Sequence, residues 1–170
     1  SAAIDTRPDA PIEENGPFEN FPLDVWRKVI DVNVTGTFLC CQIFGKAMAD
    51  QKKGSIINIC STYGLVSPDQ KIYEYRRQQG EDFYKPPAYA TSKSALLNLT
   101  RYIATYWGAK GVRTNTLTFG GVENEQDEEF MQAYRNKTPL GRMAKPEDYL
   151  GPIIFLLSDA SNYMTGSNLV

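Results

Sequence analysis

Apolar side chains recur along much of the chain at the three- and four-residue intervals of an amphipathic helix. This pattern predicts helices over residues 23–50, from residue 88 to about residue 107, and from Pro146 onward. The first is a poor helix at its centre, because β-branched side chains and a glycine occupy much of residues 32–37. We therefore expect a kink or bulge near Asn33.

Short unbroken apolar runs separate the helical segments. Residues 55–60 form such a run after Gly54, which predicts a strand that is buried on both faces. Residues 112–118 follow Gly111 and predict the next strand, and residues 168–170 fall within a last one. Such strands are typical of an α/β fold in which helices flank a parallel sheet.

The polar segments predict a loop and one mobile element. Residues 1–22 are rich in Pro, Asp, Glu and Asn, and prolines interrupt any period, so we expect a surface loop. Residues 125–137 are acidic and amphipathic, which fits a substrate lid within residues 120–145. The length of 170 residues suits a single domain over residues 1–170.

Composition and charge argue against several classes of function. Hydrophobic residues make up 42% of the chain and charged residues 22%, which is typical of a soluble globular protein. The net charge of −2 and the lack of a basic stripe argue against a nucleic-acid partner. No apolar run approaches the ~20 residues of a membrane span, and no signal peptide opens the chain, so we expect a cytoplasmic protein without a membrane partner.

Histidine and cysteine usage narrows the chemistry. The chain has no histidine, which excludes His-based triads and His metal clusters, and we expect no metal site. The three cysteines, Cys40, Cys41 and Cys60, stand in apolar surroundings. That placement favours reduced thiols in the core over a disulfide bridge.

Tyr89 and Lys93 form the strongest chemical signal. Four residues apart on a helix, they lie on one face, so an ammonium can stand beside a phenol. A free phenol titrates near ~10, and lowering its pKa to about 7 takes roughly 4 kcal/mol, which one close cation can largely supply. Ser61, at a strand end, is placed to hold a carbonyl or alcohol oxygen while Tyr89 moves the proton. The alternative for Ser61 is a turn residue without chemistry.

A series of ordered motifs resembles the short-chain dehydrogenase/reductase family and covers nearly the whole chain. These are Asp31-Val32-Asn33-Val34-Thr35-Gly36-Thr37-Phe38, Gly54-Ser55-Ile56-Ile57-Asn58-Ile59-Cys60-Ser61, Tyr89-Ala90-Thr91-Ser92-Lys93-Ser94-Ala95, Gly111-Val112-Arg113-Thr114-Asn115, Pro139-Leu140-Gly141-Arg142 and Thr165-Gly166. The resemblance implies a partial Rossmann-type, doubly wound parallel sheet that uses NAD or NADP. It implies an oxidoreductase that interconverts an alcohol and a carbonyl, with Asn33, Ser61, Tyr89 and Lys93 in the catalytic positions.

The resemblance also implies a relay and a ribose contact. In the family, a helix distortion frees the main-chain carbonyl of the residue matching Asn33 to hold a water that links to Lys93. Tyr89 and Lys93 are implied to contact the cofactor, with Lys93 on its ribose. The alternative for Asn33 is a helix residue bonded to a neighbouring loop.

Further cofactor contacts are implied after the second strand. Family members usually have Pro-Gly there and then a Thr that touches the cofactor, whereas Phe119 replaces the Pro here and Asn124 replaces the Thr. Gly120 and Gly121 permit close backbone approach to a nicotinamide ring, and Val122 offers its main chain to the carboxamide. The alternative for this stretch is a flexible hinge without a ligand.

Residues 68–87 are the main local departure from the family. The interval between Ser61 and Tyr89 is about twice that of most members, and the surplus is charged and aromatic. We expect this insert at the mouth of the substrate pocket, where arginines would clamp a phosphate or carboxylate and tyrosines would stack on a sugar. The candidate contacts to a small, sugar-derived substrate are Ser61, Tyr63, Arg76 and Arg77. The alternative is a solvated insert that makes only surface contacts.

One family feature does not occur in the sequence. Family members hold the dinucleotide pyrophosphate on a glycine-rich turn, but no Gly-x-x-x-Gly-x-Gly is present here. We therefore expect this chain, as a truncated piece, to bind NAD weakly and to be inactive alone. The alternative function is a catalytically incompetent fragment or binding module of the same fold. The resemblance also implies a homodimer or homotetramer, paired through the helices at residues 23–50 and 88–107.

Overall fold

The computed structural model describes residues 3–5 and 10–170. Its α-helices are α1 (Ile12–Asn15), α2 (Leu23–Ile30), α3 (Gly36–Asp50), α4 (Glu74–Gln78), α5 (Pro87–Trp107), α6 (Glu128–Arg135) and α7 (Leu150–Leu157). Its strands are β1 (Gly54–Ser61), β2 (Val112–Phe119) and β3 (Asn168–Leu169). Strands alternate with helices, which confirms the predicted α/β class. No helix in the described ranges has both the length and the apolar content needed to cross a membrane.

The three strands form one sheet in the order β1-β2-β3, and both neighbouring pairs are parallel. β1 and β2 pair along their full length, from Gly54 opposite Val112 to Ser61 opposite Phe119. This arrangement confirms the predicted parallel sheet. It also brings the carboxyl ends of β1 and β2 to the same edge, where ligands bind in open α/β sheets.

Helices cover both faces of the sheet. Successive side chains of a strand point to opposite faces, so Ser55 and Asn58 of β1 face different layers. Asn58 donates to Thr100 Oγ1 of α5 at 2.9 Å, whereas Ser55 donates to the main-chain carbonyl of Leu156 in α7 at 2.8 Å. α5 and α7 therefore pack on opposite faces, which is the doubly wound arrangement.

The predicted distortion near Asn33 is a π-helical turn at Asp31–Thr35, between α2 and α3. Thr37 donates from Oγ1 to the main-chain carbonyl of Asn33 at 2.8 Å. β-branched side chains lose rotamer freedom in a regular helix, so they fit this segment poorly as a regular helix. π-helical turns occur often at functional sites. The prediction of a kink is confirmed, and it leaves the Asn33 side chain in the interior.

The main core lies between α3, α5 and the sheet. Its buried members are Cys41, Ala49, Ile103, Trp107 and Val112. Gly45 lets α3 approach α5 closely, since a Cβ there would lie 2.1 Å from the Trp107 ring. Cys41 and Cys60 are buried free thiols as predicted, but Cys40 is exposed, because adjacent positions on a helix point in different directions.

The predicted N-terminal loop is only partly a loop. Residues 1–2 and 6–9 of it lie outside the described residues. The described part contains α1 and a 3-10 turn at Phe18–Asn20. The main-chain carbonyl of Asn15, at the end of α1, accepts a hydrogen bond from Tyr84 N at 2.7 Å. Pro11 and Pro17, which suggested a loop, instead precede these short helices, where a missing N–H costs nothing.

The insert at residues 68–87 is a packed element. It contains a 3-10 turn at Gln70–Tyr73 followed by α4. A second small core joins it to α6 through Ile72, Tyr73, Phe83, Phe130, Ala133 and Tyr134. The alternative of a solvated insert is therefore wrong for these apolar side chains, because α6 covers them.

Candidate active site

Ser61 and the start of α5 meet at the carboxyl end of β1. Ser61 is the last residue of its strand, and α5 begins at Pro87, whose missing N–H suits a first helical turn. A cavity of about 720 Å³ opens at this edge, and Ser61, Tyr89 and Lys93 all line it. The structure thus brings three of the four predicted catalytic side chains together.

The Ser61 hydroxyl lies close enough to the Tyr89 phenol to act on its pKa. Ser61 Oγ also accepts from the main-chain N–H of Tyr63 at 3.2 Å, which leaves its own proton free to donate. Burial has the largest influence on Tyr89 and raises the pKa of its phenol, whereas the Ser61 hydroxyl lowers it and Asp5 raises it. The resulting pKa lies above its ordinary value, which is opposite to the predicted lowering, because desolvation outweighs the favourable effect of Ser61.

The Lys93 ammonium lies beside the Tyr89 ring and donates a hydrogen bond to β1. Its Nζ lies 5.6 Å from the centre of that ring and donates to the main-chain carbonyl of Ile59 at 2.9 Å. The residue is 5% exposed, and burial lowers the pKa of its ammonium, while Cys60 and Asp5 act in the opposite direction. A buried ammonium so close to a phenol favours the phenolate once the phenol loses its proton.

A second lysine, which the sequence pattern did not single out, also lies near Tyr89. Lys85 Nζ is 5.5 Å from the centre of the Tyr89 ring and forms an ion pair with Asp5. Lys85 and Asp5 both line the cavity. The available signal was a spacing of four residues before Tyr89, but the prolines between them break the helical period that makes such a spacing informative.

Asn33 does not line the cavity. Its Nδ2 donates to the Ile4 carbonyl at 2.8 Å and to Ser92 Oγ at 2.9 Å, while its Oδ1 accepts from Ile4 N at 2.8 Å. Ser92 Oγ in turn donates to the main-chain carbonyl of Tyr89 at 2.7 Å. The side chain therefore makes the loop contact that was the alternative to a catalytic role, and it ties that loop to the first turns of α5.

The loop after β2 forms another wall of the cavity. Its lining residues include Gly120, Gly121, Val122 and Asn124. Gly121 N donates to the Tyr134 hydroxyl of α6 at 2.6 Å, and the Tyr149 hydroxyl donates to the Gly120 carbonyl at 3.3 Å. Phe119, which stands where the family has Pro, stacks on Tyr149 with ring centres 3.9 Å apart. Aromatic side chains from two helices therefore hold this loop against the sheet.

The two arginines of the insert have different surroundings. Arg76 lines the cavity, with its guanidinium 4.5 Å above the centre of the Phe83 ring and in an ion pair with Glu81. Arg77 is not among the lining residues and donates to the main-chain carbonyls of Phe83 at 2.8 Å and Gln70 at 2.6 Å. The structure brings Arg76 but not Arg77 to the cavity, because the guanidinium of Arg77 is used to fold the insert.

Tyrosine hydroxyls line another part of the cavity. The Tyr63 and Tyr73 oxygens lie 3.5 Å apart, and Tyr75 donates to the Asp127 carboxylate at 2.6 Å. Burial is the main reason that the pKa of each of these three phenols is raised, so they stay neutral at neutral pH. Tyr63 was a named sequence candidate, and Tyr73 and Tyr75 belong to the insert whose tyrosines were expected to stack on a sugar.

The residues present fit the nicotinamide nucleoside end of a dinucleotide. The cavity has an ammonium donor, from Lys93, and glycine-rich main chain at Gly120 and Gly121, where a flat ring can approach the backbone. The same cavity is large enough for a ring and a sugar. The glycine-rich turn whose N–H groups would bind the pyrophosphate does not occur in this sequence, which holds no Gly-x-x-x-Gly-x-Gly.

Comparison with known proteins agrees with this architecture. A family model described as Enoyl-(Acyl carrier protein) reductase matches residues 2–170. The chain is 31% identical over 159 residues to D-threitol dehydrogenase of Mycolicibacterium smegmatis, covering 91% of this chain and 55% of that protein. The chain spans about half the length of the curated relatives it matches.

Two solved structures share the fold. A short chain dehydrogenase from Leptospira borgpetersenii with bound NAD+ is 34% identical, with a TM-score of 0.84, covering 99% of this chain and 59% of that one. A gluconate 5-dehydrogenase from Burkholderia cenocepacia, in complex with NADP and tartrate, is 28% identical, with a TM-score of 0.78, covering 95% and 60%. These similarities confirm the Rossmann-type α/β fold expected from the sequence.

Proposed function

The chain belongs to the short-chain dehydrogenase/reductase family, and from that premise we propose that the protein is an NAD(P)-dependent oxidoreductase that interconverts an alcohol and a carbonyl group. The observation that carries this proposal is the shared cavity of Ser61, Tyr89 and Lys93 at the carboxyl end of β1. The choice between NAD and NADP stays open, since one similar structure holds NAD+ and another holds NADP.

Tyr89 is the proposed general acid and base. A substrate oxygen that meets the hydroxyls of Ser61 and Tyr89 would receive a proton from Tyr89 in reduction and lose one to it in oxidation. In oxidation the raised pKa of Tyr89 must be overcome, and the Lys93 ammonium favours the phenolate. The bond to Ile59 uses one of the three N–H groups of Lys93, so two are left for the phenol oxygen and a ribose hydroxyl.

The residues proposed to hold the cofactor are Tyr89, Lys93, Gly120, Gly121, Val122 and Asn124. A bound nicotinamide would exchange hydride with the substrate carbon that bears the oxygen. Asn33 is proposed to act at a distance, because its bond to Ser92 fixes the turn of α5 that carries Tyr89. Its proposed relay water stays a prediction.

The proposed substrate is small and sugar-derived or a polyol. The cavity is lined by neutral phenols, by the cationic donor Arg76 and by the anionic acceptor Asp127. Such a mixture of donors and acceptors suits a compound with several hydroxyls. Two similar proteins are named as a D-threitol dehydrogenase and a gluconate 5-dehydrogenase. We further propose that the insert at residues 68–87 and a lid within residues 120–145 close over this substrate, a proposal supported by the contacts of α6 with the insert.

A spectrophotometric screen tests the proposed function. The protein is assayed at 340 nm with threitol, xylitol and gluconate as substrates of oxidation, each with NAD+ and with NADP+. We expect turnover of at least one of these compounds when the protein carries a glycine-rich pyrophosphate turn, and no turnover by residues 1–170 alone. In the active form we expect loss of turnover in Tyr89→Phe and full activity in Tyr102→Phe, whose tyrosine is 64% exposed on the same helix. A protein that neither turns over any of them nor binds NADH or NADPH would instead be the binding module of the alternative function.

We also propose that the protein is a homodimer or homotetramer paired through α3 and α5. Ile43 and Phe44 of α3 are 64% and 61% exposed, and Tyr102 and Tyr106 of α5 are similarly exposed. Exposed apolar and aromatic side chains on two long helices support an interface, because large apolar patches on a protein surface often mark contacts between proteins.

A further inference from the structure

A side chain that the proposed mechanism does not use closes the loop after β2. Gln126 Nε2 donates to the main-chain carbonyl of Val122 at 2.9 Å, and Gln126 Oε1 accepts from the main-chain N–H of Asn124 at 2.6 Å. One primary amide thus satisfies both a carbonyl and an N–H of the loop. All three residues line the cavity that holds Tyr89 and Lys93.

The group on Gln126 is the same chemical group that a nicotinamide carries. Both are primary carboxamides, with an NH₂ that donates and a carbonyl that accepts. Val122 and Asn124 are also the loop residues that the proposed function gives to the cofactor. The Asn124 N–H has a single proton, which Gln126 already accepts, so it can donate to an incoming carboxamide only if Gln126 moves away. The Val122 carbonyl has two lone pairs, and Gln126 occupies one of them.

We propose that Gln126 is an internal competitor of the nicotinamide carboxamide and thereby weakens cofactor binding at this site. The inference rests on the proposed function and adds to it a residue that sets affinity. Binding exchanges one carboxamide for another, so hydrogen bonds are replaced rather than gained. The cofactor must therefore be held mainly through contacts elsewhere, and the loop binds the nicotinamide end loosely enough to release it.

The geometry of the loop suits such an exchange. The side chain of Gln126 is half-buried, while residues 123–125 and Asp127 are exposed. Glu125, which lies inside the clamped segment, has a φ of 52°, in the left-handed region that non-glycine residues adopt at a cost. The clamped segment therefore holds one residue in a costly backbone conformation, and it lies outside the sheet.

Binding measurements on Gln126 variants test the proposal. Gln126→Ala removes the amide, and Gln126→Met keeps its length without either hydrogen bond. Dissociation constants for NADH, NADPH and ADP-ribose are measured by calorimetry, with Gln132→Ala as the matched control, since the Gln132 amide bonds to Asn136 on the exposed side of α6. We expect the dissociation constant of the preferred reduced nucleotide to fall about three- to tenfold in both Gln126 variants, and that of ADP-ribose, which has no carboxamide, to stay unchanged.

The outcomes separate this inference from the function on which it rests. An unchanged or higher dissociation constant for NADH and NADPH in both variants overturns the inference and leaves the oxidoreductase proposal standing. An equal gain for ADP-ribose also overturns it, because competition for the carboxamide cannot reach that ligand. If neither the wild type nor the variants bind any of the three ligands, the proposed function falls and the inference falls with it.

Discussion

Lys93 Nζ lies 5.6 Å from the centre of the Tyr89 ring and is tied to β1 by a 2.9 Å hydrogen bond to the Ile59 carbonyl. The helix sets the spacing of the two side chains, and the strand sets the position of the ammonium. The pKa of the Tyr89 phenol is set mainly by burial, which raises it, and by Ser61, which lowers it. The Lys93 ammonium lies beside the same ring. The predictions that follow test each part of this arrangement.

Loss of either hydroxyl should reduce turnover sharply. We expect Tyr89→Phe and Ser61→Ala each to lower kcat about 10²–10⁴-fold, because one removes the transferred proton and the other the group that positions the substrate oxygen. The kcat of the double variant should be little lower than that of the more impaired single variant, since the two residues act as a unit. Steady-state kinetics check this, and multiplicative losses in the double variant would mean that the two hydroxyls act independently.

Lys93 predicts a pH dependence of stability. Burial places the folded pKa of its ammonium below the unfolded value, so the unfolded chain binds more protons between the two values, and the free energy of unfolding rises with pH there. Below the folded pKa the penalty of burying the charge is fully present. We expect Lys93→Met to lack this alkaline rise. Urea denaturation of the wild type and Lys93→Met at several pH values from neutral to about 10.5 measures this rise. If the free energy of unfolding depends on pH in the same way in both proteins, burial does not shift the pKa of Lys93.

Adjacent arginines should have separable effects. Arg77→Ala removes hydrogen bonds to the Phe83 and Gln70 carbonyls, and we expect it to lower the free energy of unfolding by about 1–3 kcal/mol. Arg76→Ala removes a cavity side chain, and we expect it to raise KM for the substrate. Thermal denaturation and kinetics on both variants provide the comparison. A larger KM change in Arg77→Ala than in Arg76→Ala would contradict the assignment.

Tyr134 should couple α6 to the loop after β2. Tyr134→Phe removes the acceptor of the 2.6 Å bond from Gly121 N, at a cost of about 1 kcal/mol. We expect hydrogen exchange at the Gly121 amide to accelerate, while exchange within β2 stays unchanged. Tyr106→Phe, at an exposed tyrosine of α5, is the control. Unaltered exchange at Gly121 would show that the bond does not restrain the loop.

Charge on the exposed face of α3 should dissociate the proposed oligomer. We expect Phe44→Glu to shift the molar mass from light scattering toward that of one chain, because a carboxylate in an apolar interface is costly. Leu140→Glu is the matched control, since Leu140 is 78% exposed and lies outside α3 and α5. A wild type that already has the mass of one chain would rule out the interface.

The local sequence pattern was sufficient to predict those structural elements that depend mainly on their own residues. The apolar run of β1 indicated a strand buried between helices, and the period of α5 set Tyr89 and Lys93 one turn apart. The π-helical turn at Asp31–Thr35 followed from β-branched residues that fit a regular helix poorly. In each of these segments the deciding interactions lie within a few residues along the chain.

Contacts between distant segments were beyond the reach of the pattern. Asn33 meets Ile4 and Ser92, which lie 29 and 59 positions away, so its role as a support for α5 had no local signal. The same is true of Asp5 and Lys85 beside the Tyr89 phenol. The solvated alternative is wrong for the apolar side chains of the insert, because α6 supplies the surface that covers them.

Hydrophobic period and helical spacing were enough to predict the principal helices, the parallel sheet, and the candidates Ser61, Tyr89 and Lys93, because these patterns act over short distances. The packed structure was needed to show that burial raises the pKa of Tyr89, that Arg76 rather than Arg77 reaches the cavity, and that Gln126 bonds the Val122 carbonyl. Desolvation and hydrogen-bond partners depend on which surfaces the packed segments cover, and a linear pattern does not contain that information.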